Sequence, residues 1–354
     1  MPLFIKGMYR SGTTTFSKIL SNHPELSIKN DVLFPLFKNI KEKVEMNKNK
    51  KKTKYISDYF LNDLDIYSSI KNFDLKENIY NKKGLKKDLK IYVNNYAPEL
   101  KKKINKINFS NYYKFLNSFF KVVQLEKPNT KIIGAKEVWT NEFYFPIKRY
   151  FPTSKFLFIV RSPMGVISSS FKDKNSNYEI YFLIKQWRKL AYLSYFYQGK
   201  NAMIIKYENL IKNNKQVFKR IENFLNLEKN GFSTAIFLTK KSKWKQNSSF
   251  KTSSKNFFNN SSLNNWKKFL NDKQKLLISL LCFPEMKLLG YDCKYKNSLN
   301  ILKKIKANKR MISKEIGNKN FENELKRYNS LINKKYEKNF YLNKKHYLSL
   351  FQNL

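Results

Sequence analysis

Gly7 and Gly12 follow directly on the apolar run Leu3-Phe4-Ile5 and lead into the helical pattern Phe16, Ile19, Leu20. A strand, a tight Gly-containing turn and a helix start bring several backbone N–H groups around one point, where the helix dipole adds partial positive charge. That arrangement is an anion cradle. Further buried strands are predicted at Lys131–Ala135, Phe156–Val160 and Ala202–Ile205, each followed by a stretch of helical period. The clearest period places Val217, Phe218, Ile221, Phe224 and Leu225 on one helix face. Strands alternating with helices imply an α/β fold, a central parallel sheet flanked by helices.

Between the first helix and the strand at Lys131 lies a long insert, about residues 36 to 128, with helix-like segments rich in Tyr and Phe. It carries the run Lys48-Asn49-Lys50-Lys51-Lys52, which reads as a solvated loop. From residue 297 the chain is again Lys-rich with scattered apolar residues. The predicted organisation is one domain over residues 1–296, the insert included, and a helical C-terminal extension over 297–354.

The spacing Gly7-x4-Gly12 has the outline of a nucleotide-binding loop, but Thr13 stands where that motif requires Lys. In the motif the Lys reaches the β/γ-phosphates of a triphosphate. Its absence argues against a nucleotide kinase or ATPase and for a shorter anionic tail, with Arg10 supplying a guanidinium beside the loop. A second anion site is predicted where the run Lys155 to Val160 ends in Arg161-Ser162-Pro163, with Pro163 suited to a first helical turn. Ser168, Ser169 and Ser170 follow one to two turns later. Of the 71 basic residues only seven are Arg, namely Arg10, Arg149, Arg161, Arg188, Arg220, Arg310 and Arg327. Placing an Arg at each of two strand ends in so Lys-biased a chain points to planar, bidentate anion recognition there.

Composition constrains the partners. Lys and Arg outnumber Asp and Glu by 71 to 26, a formal charge of +45, yet the excess is spread along the whole chain and no nucleic-acid recognition motif accompanies it. No specific nucleic-acid partner is expected. Two Cys, Cys282 and Cys293, give no disulfide framework and suit a reducing, cytoplasmic location. His23 and His346 lie at opposite ends of the chain, so a His/Cys metal cluster is not expected. The longest apolar stretches, such as Leu276 to Phe283, fall well short of the roughly 18 residues of a membrane span. The strand-like opening leaves no room for a signal peptide before it.

Taken together, the two anion sites resemble the sulfotransferase superfamily, whose sulfuryl donor is 3′-phosphoadenosine-5′-phosphosulfate (PAPS). Arg10-Ser11-Gly12-Thr13-Thr14 is similar to that family's 5′-phosphosulfate loop, and His23-Pro24 follows as in the family. Phe151-Pro152 through Arg161-Ser162-Pro163 to Ser169 resembles its 3′-phosphate element, in which an Arg and a Ser eight residues later hold the phosphate. Tyr207-Glu208-Asn209-Leu210, Phe224-Leu225-Asn226-Leu227 and Gly290-Tyr291-Asp292 match later family segments in order. The resemblance spans roughly residues 3 to 293 outside the insert and implies a P-loop-like sulfotransferase architecture.

It also implies site roles. Tyr207 and the loop Asn247-Ser248-Ser249-Phe250 would contact the adenosine, and Ser262 with Trp266-Lys267 would close over the 3′-phosphate; the Arg-Lys-Gly element of the steroid and phenol branch is missing. An acceptor hydroxyl or amine, on a small molecule, a glycan or a lipid, would lie against the insert. In many relatives the general base is a His or Glu just before the 3′-phosphate strand; here the candidate is Glu137, with Lys136 beside it as a contact to the transferred group or donor. A sulfuryl group carries one negative charge where a phosphoryl carries two, so fixed amides and cationic side chains suffice and no metal is expected.

Overall fold

The computed structural model describes residues 1–49, 69–172, 178–229, 231–232, 260–293 and 298–332. Two compact units are distinguished among the described residues: 1–49, 69–160, 197–229, 231–232 and 260 form the first, and 161–172, 178–196, 261–293 and 298–332 the second.

The first unit is built on five strands, β1 (Pro2–Gly7), β2 (Leu26–Asn30), β3 (Ile132–Val138), β4 (Lys155–Val160) and β5 (Ala202–Lys206), in the order β2-β3-β1-β4-β5. All four pairings are parallel. Four of these strands coincide with the apolar runs of the sequence. The edge strand β2, Leu-Ser-Ile-Lys-Asn, alternates over only five residues and ends in polar ones, so it gives too short a signal to read.

Helices in chain order are α1 (Thr13–Ser21), α2 (Phe34–Asn49), α3 (Lys82–Tyr96), α4 (Tyr112–Gln124), α5 (Tyr144–Tyr150), α6 (Pro163–Phe171), α7 (Ile180–Tyr197), α8 (Tyr207–Lys212), α9 (Asn214–Leu225), α10 (Ser261–Asn264), α11 (Trp266–Phe269), α12 (Asp272–Leu281), α13 (Phe283–Leu288), α14 (Ser298–Ala307), α15 (Lys309–Ile316) and α16 (Asn318–Ile332). In its described residues the insert is helical, with α2, α3, a 3-10 segment Pro98–Lys106 and α4. Beyond residue 297 the described residues, 298–332, are helical as well, in α14 to α16.

Side chains alternate across the sheet with the period of two that strands impose. On one face Leu3 and Ile5 pack with Phe16, Ile19 and Leu20 of α1 and with Val217, Phe218, Ile221 and Leu225 of α9. On the other, Phe4 stacks on Phe156 at 5.3 Å between ring centres and meets Phe120 of α4 edge-on at 5.6 Å. Both faces are covered, as a parallel sheet requires. The next residue on that second face is Lys6, fully buried.

Strand order also locates the ligand edge. The chain leaves β1 toward β2 on one side and leaves β4 toward β5 on the other, so the topology reverses between the carboxyl ends of these neighbours. Ligands of open parallel sheets bind at such a reversal. The Gly7–Gly12 loop begins at one of these ends, and Arg161 is the residue after the other.

In the second unit the described elements are all helices, and α7, α13 and α16 are joined by buried ion pairs among Arg188, Glu285, Glu324 and Arg327. Among the described residues no helix is long and apolar enough to cross a membrane, and no group of His, Cys, Asp or Glu is arranged to hold a metal ion.

Candidate active site

The loop after β1 is tight because Gly7 has no side chain: a Cβ there would come within 2.6 Å of the Ile159 carbonyl oxygen and 2.9 Å of Thr13 Cγ2. The Ser11 amide and hydroxyl both donate to the Met8 carbonyl, which closes the turn. Gly12 takes a left-handed φ of 88° at the N-cap of α1 and has no side chain with which to cap it. The first intrahelical bond runs from the Phe16 amide to the Gly12 carbonyl. The amides of Thr13, Thr14 and Thr15 therefore point out of the helix start, where an anion would be met by three donors and the dipole. Tyr207, the first residue of α8, lays its ring over Gly12 so closely that a Cβ on residue 12 would lie 2.5 Å from it.

Arg10 is buried, and its guanidinium sits 4.9 Å from the centre of the Tyr9 ring. Tyr9 in turn packs on Trp139 at 5.7 Å, and the Trp139 amide donates to the Gly7 carbonyl at 3.1 Å. The loop after β1 is thereby tied to the turn after β3. Arg10, Asp31 and Trp139 adopt left-handed backbone, with φ of 67°, 57° and 55°, one each after β1, β2 and β3. For residues with a Cβ that conformation is strained by about 1–3 kcal/mol each and persists where surrounding contacts impose it. All three follow strand ends on the ligand edge of the sheet.

Glu137 and Lys136 are adjacent in β3 and so leave opposite faces of the sheet. Lys136 pairs with Asp31 at 2.6 Å on the α1 side. Burial, reinforced by Lys136, also lowers the nearby Lys18 ammonium to about 8. Glu137, 1% exposed, accepts the Leu33 amide on Oε1 at 2.6 Å, and its Oε2 has no hydrogen-bond partner among the described residues. Burial pushes its carboxyl well above the usual range, and Asp31 adds to that; Lys136, the Leu33 amide and Lys6 act against it. A carboxyl poised upward with one open oxygen is suited to receiving a proton.

On the insert side, Phe34 stacks on Tyr92 of α3 at 5.7 Å, and Tyr92 packs on Tyr96 at 5.5 Å. Burial first, then neighbouring charge including Asp31 and Glu137, raises the Tyr92 hydroxyl to about 12 and shifts Tyr96 the same way. Tyr96 is 52% exposed. The aromatic row thus has its hydroxyls in the field of the candidate base and one ring open to solvent.

In the second unit, Arg161 is half-buried and donates from Nη2 to the Ser262 carbonyl at 2.8 Å, while its own carbonyl accepts Trp187 Nε1 at 2.8 Å. Gly165 makes room for this side chain: a Cβ there would lie 2.7 Å from Arg161 Nε. Of the three consecutive serines on α6, Ser168 and Ser170 turn their hydroxyls back to the Gly165 and Val166 carbonyls. Ser169, half-buried, makes no such bond among the described residues and keeps its hydroxyl for another acceptor. Lys267 is exposed on α11. Asn247, Ser248, Ser249 and Phe250 lie outside the described residues.

Sequence reasoning missed Lys6, Asp31, Lys41, Thr140 and Glu142, which surround Glu137 and the turn after β3. Lys6 alone left a trace, a charged residue inside an otherwise apolar strand; the others come from segments whose meeting no local pattern announces.

Residues 2–231 match the Sulfotransferase family, and the chain belongs to it. No curated protein matches the chain. Among solved structures it is similar to a sulfotransferase domain from the curacin biosynthetic pathway, at 17% identity and a TM-score of 0.49, over 83% of this chain and 99% of that one. It is also similar to the sulfotransferase domain of the Synechococcus PCC 7002 olefin synthase, at 14% identity and 0.48, over 82% and 95%. A third is mouse sulfotransferase SULT7A1 complexed with PAP, at 13% identity and 0.43, over 82% and 89%.

Proposed function

We propose that this sulfotransferase moves a sulfuryl group from PAPS to a hydroxyl or amine of a small-molecule, glycan or lipid acceptor, glycans and lipids being favoured, without a metal ion. The observation that carries the reading is the uncapped start of α1 with Arg10 beside it and Thr13 in place of a triphosphate-binding Lys. In this reading the amides of the Gly12–Thr15 turn and Ser11 hold the 5′-phosphosulfate, and Arg10 neutralises the charge that develops on the bridging oxygen as the nucleotide departs. Arg does not readily give up a proton, so its role is electrostatic.

Glu137 takes the acceptor proton on Oε2 while the acceptor oxygen attacks sulfur in line. Lys136, turned toward Asp31, steadies the donor side of the sheet end. Arg161 and Ser169 hold the 3′-phosphate, with Ser262 and Lys267 beside them; Tyr207, Ser249 and Phe250 bound the adenosine. The insert of about residues 36–128 supplies the acceptor wall, where Tyr92 and Tyr96 offer ring faces suited to a sugar or an apolar chain. We take residues 1–296 as the transferring domain and 297–354 as its extension, acting in the cytoplasm, where the unpaired Cys282 and Cys293 would stay reduced.

The test is ligand-linked melting. 3′-Phosphoadenosine-5′-phosphate should stabilise the protein without Mg²⁺ by about 2.7 kcal/mol at a hundredfold excess over Kd, ATP should do little, and Arg161→Ala should remove most of the effect. Stabilisation by Mg-ATP alone would overturn the reading. Labelled donor with carbohydrate, lipid and phenol extracts then identifies the acceptor.

A further inference from the structure

Six charges gather around the carboxyl end of β3, and two contact pairs account for four of them. Lys136 meets Asp31 at 2.6 Å, and Lys41 of α2 meets Glu142 at 3.1 Å. The remaining two are Lys6 and Glu137. They are register partners on the adjacent parallel strands β1 and β3, so their side chains leave the same face, with strands about 4.8 Å apart. Yet they do not touch. Lys6 donates to the Thr140 carbonyl at 2.7 Å and to Thr140 Oγ1 at 2.9 Å, and its ammonium lies 4.7 Å from the centre of the Phe37 ring. Glu137 Oε2 has no hydrogen-bond partner among the described residues.

A fully buried ammonium whose hydrogen bonds go only to neutral oxygens is costly to keep, and a turn can be anchored without a charge. We propose that Lys6 is a positioning residue for Glu137, stabilising its carboxylate form from one strand away so that Oε2 carries neither a proton nor a donor and is free to receive the acceptor's proton. A cation in direct contact would occupy the lone pair the reaction needs. One strand removed, it acts through the low dielectric of the interior and leaves that lone pair open.

The neighbouring charges agree with this assignment. Burial lowers the Lys6 ammonium to about 7, with Glu142 and Glu137 holding it up and Lys41 opposing them. Around Glu137, Asp31 raises and Lys136 lowers the carboxyl, and since those two are paired with each other their fields largely offset. From α3, Tyr92 and Tyr96 face the same carboxylates as neutral hydroxyls. Lys41 and Glu142 likewise offset one another. Lys6 is left as the net cation on Glu137.

This inference rests on Glu137 being the base, but its test does not need an acceptor. Infrared difference spectra of the full chain, native minus Glu137→Gln, isolate the protonated carboxyl band of Glu137, which is titrated from about pH 5 to about pH 9. In Lys6→Met the midpoint should rise by about one pH unit or more, a tenfold change in proton affinity. Lys6→Arg, which keeps a cation, should hold the native midpoint or lower it. Thr140→Val, which removes one anchor of the ammonium, should lower the melting temperature and leave the midpoint near its native value if Lys6 still faces Glu137. An unmoved midpoint in folded Lys6→Met overturns the proposal; should that variant not fold, a raised midpoint in Lys6→Arg overturns it. A Glu137→Gln enzyme that still transfers sulfate would remove the base assignment while leaving the measured coupling intact, so the two failures are separable.

Discussion

Both units bury clustered charges, and they finish them differently. In the second unit Arg188, Arg327, Glu285 and Glu324 form a ring in which every charge has an opposite one at 2.6 Å, and Tyr181 donates to Glu324 at 2.8 Å. Burial pushes Glu324 up, but the two guanidiniums pull it below the usual carboxylate range. In the first unit Glu137 faces a lysine it does not touch and ends well above that range. The same ingredients give a ring in which every charge has an opposite charge in contact, and a candidate base that has none. Contact closure, more than burial or charge count, separates the two uses.

The largest effect that could break this contrast is on turnover. Glu137→Gln should lower sulfate transfer by about a thousandfold, measured with labelled donor and the acceptor found by extract screening, while 3′-phosphoadenosine-5′-phosphate affinity stays unchanged. Glu324→Gln, assayed where it is folded, should stay within about twofold of native turnover, since the group lies in the clamp. A comparable loss in both variants would erase the distinction.

Next comes stability. Arg327→Met removes one partner from a closed ring and should cost about 3–5 kcal/mol in denaturant unfolding. A cost under about 1 kcal/mol would mean that the ring does not hold α16. Glu137→Gln should go the other way, gaining about 1 kcal/mol near pH 7, because the native carboxyl is kept at the expense of stability.

The pH dependence sharpens the comparison further. Glu137 holds its proton above the ordinary glutamate value of 4.5, so above that pH the folded state binds more protons than the unfolded one and native stability falls as pH rises. The advantage of Glu137→Gln should therefore appear above 4.5 and grow. Glu324 is shifted below 4.5, so its contribution is complete above that value and is lost as pH falls through the folded one. The penalty of Glu324→Gln should shrink on acidification; parallel slopes in the two variants would contradict the assigned directions.

The smallest effect concerns the hydroxyl proposed to meet the 3′-phosphate. Ser169→Ala should weaken 3′-phosphoadenosine-5′-phosphate binding by about tenfold, with Ser168→Ala near native, in a titration by calorimetry. A loss confined to Ser168→Ala would show that the back-bonded hydroxyl of Ser168 is the one used.

What the sequence made legible was local. The loop from Gly7 to Thr14 and the strand-to-helix step at Arg161 each lie within about ten residues, so spacing alone exposes them. Glu137 enters as a candidate base only through the family resemblance and its place at a strand end, whereas its surroundings depend on Leu33, 104 residues earlier, and on Lys6 in a neighbouring strand. The clamp was illegible for the same reason, Arg188 and Glu324 being 136 residues apart. Edge strand β2 escaped because short alternation ending in Lys and Asn resembles a loop.

Tyr207 has a consequence beyond any contact with a base. Its ring fills the volume that a side chain on residue 12 would need, and it opens the helix after β5, two strands away from β1 in the sheet. The cradle is thus braced from outside its own loop. If the proposed donor site is right, shortening that ring would loosen its sulfate end along with its adenosine end, so donor affinity and turnover should fail together at this one position.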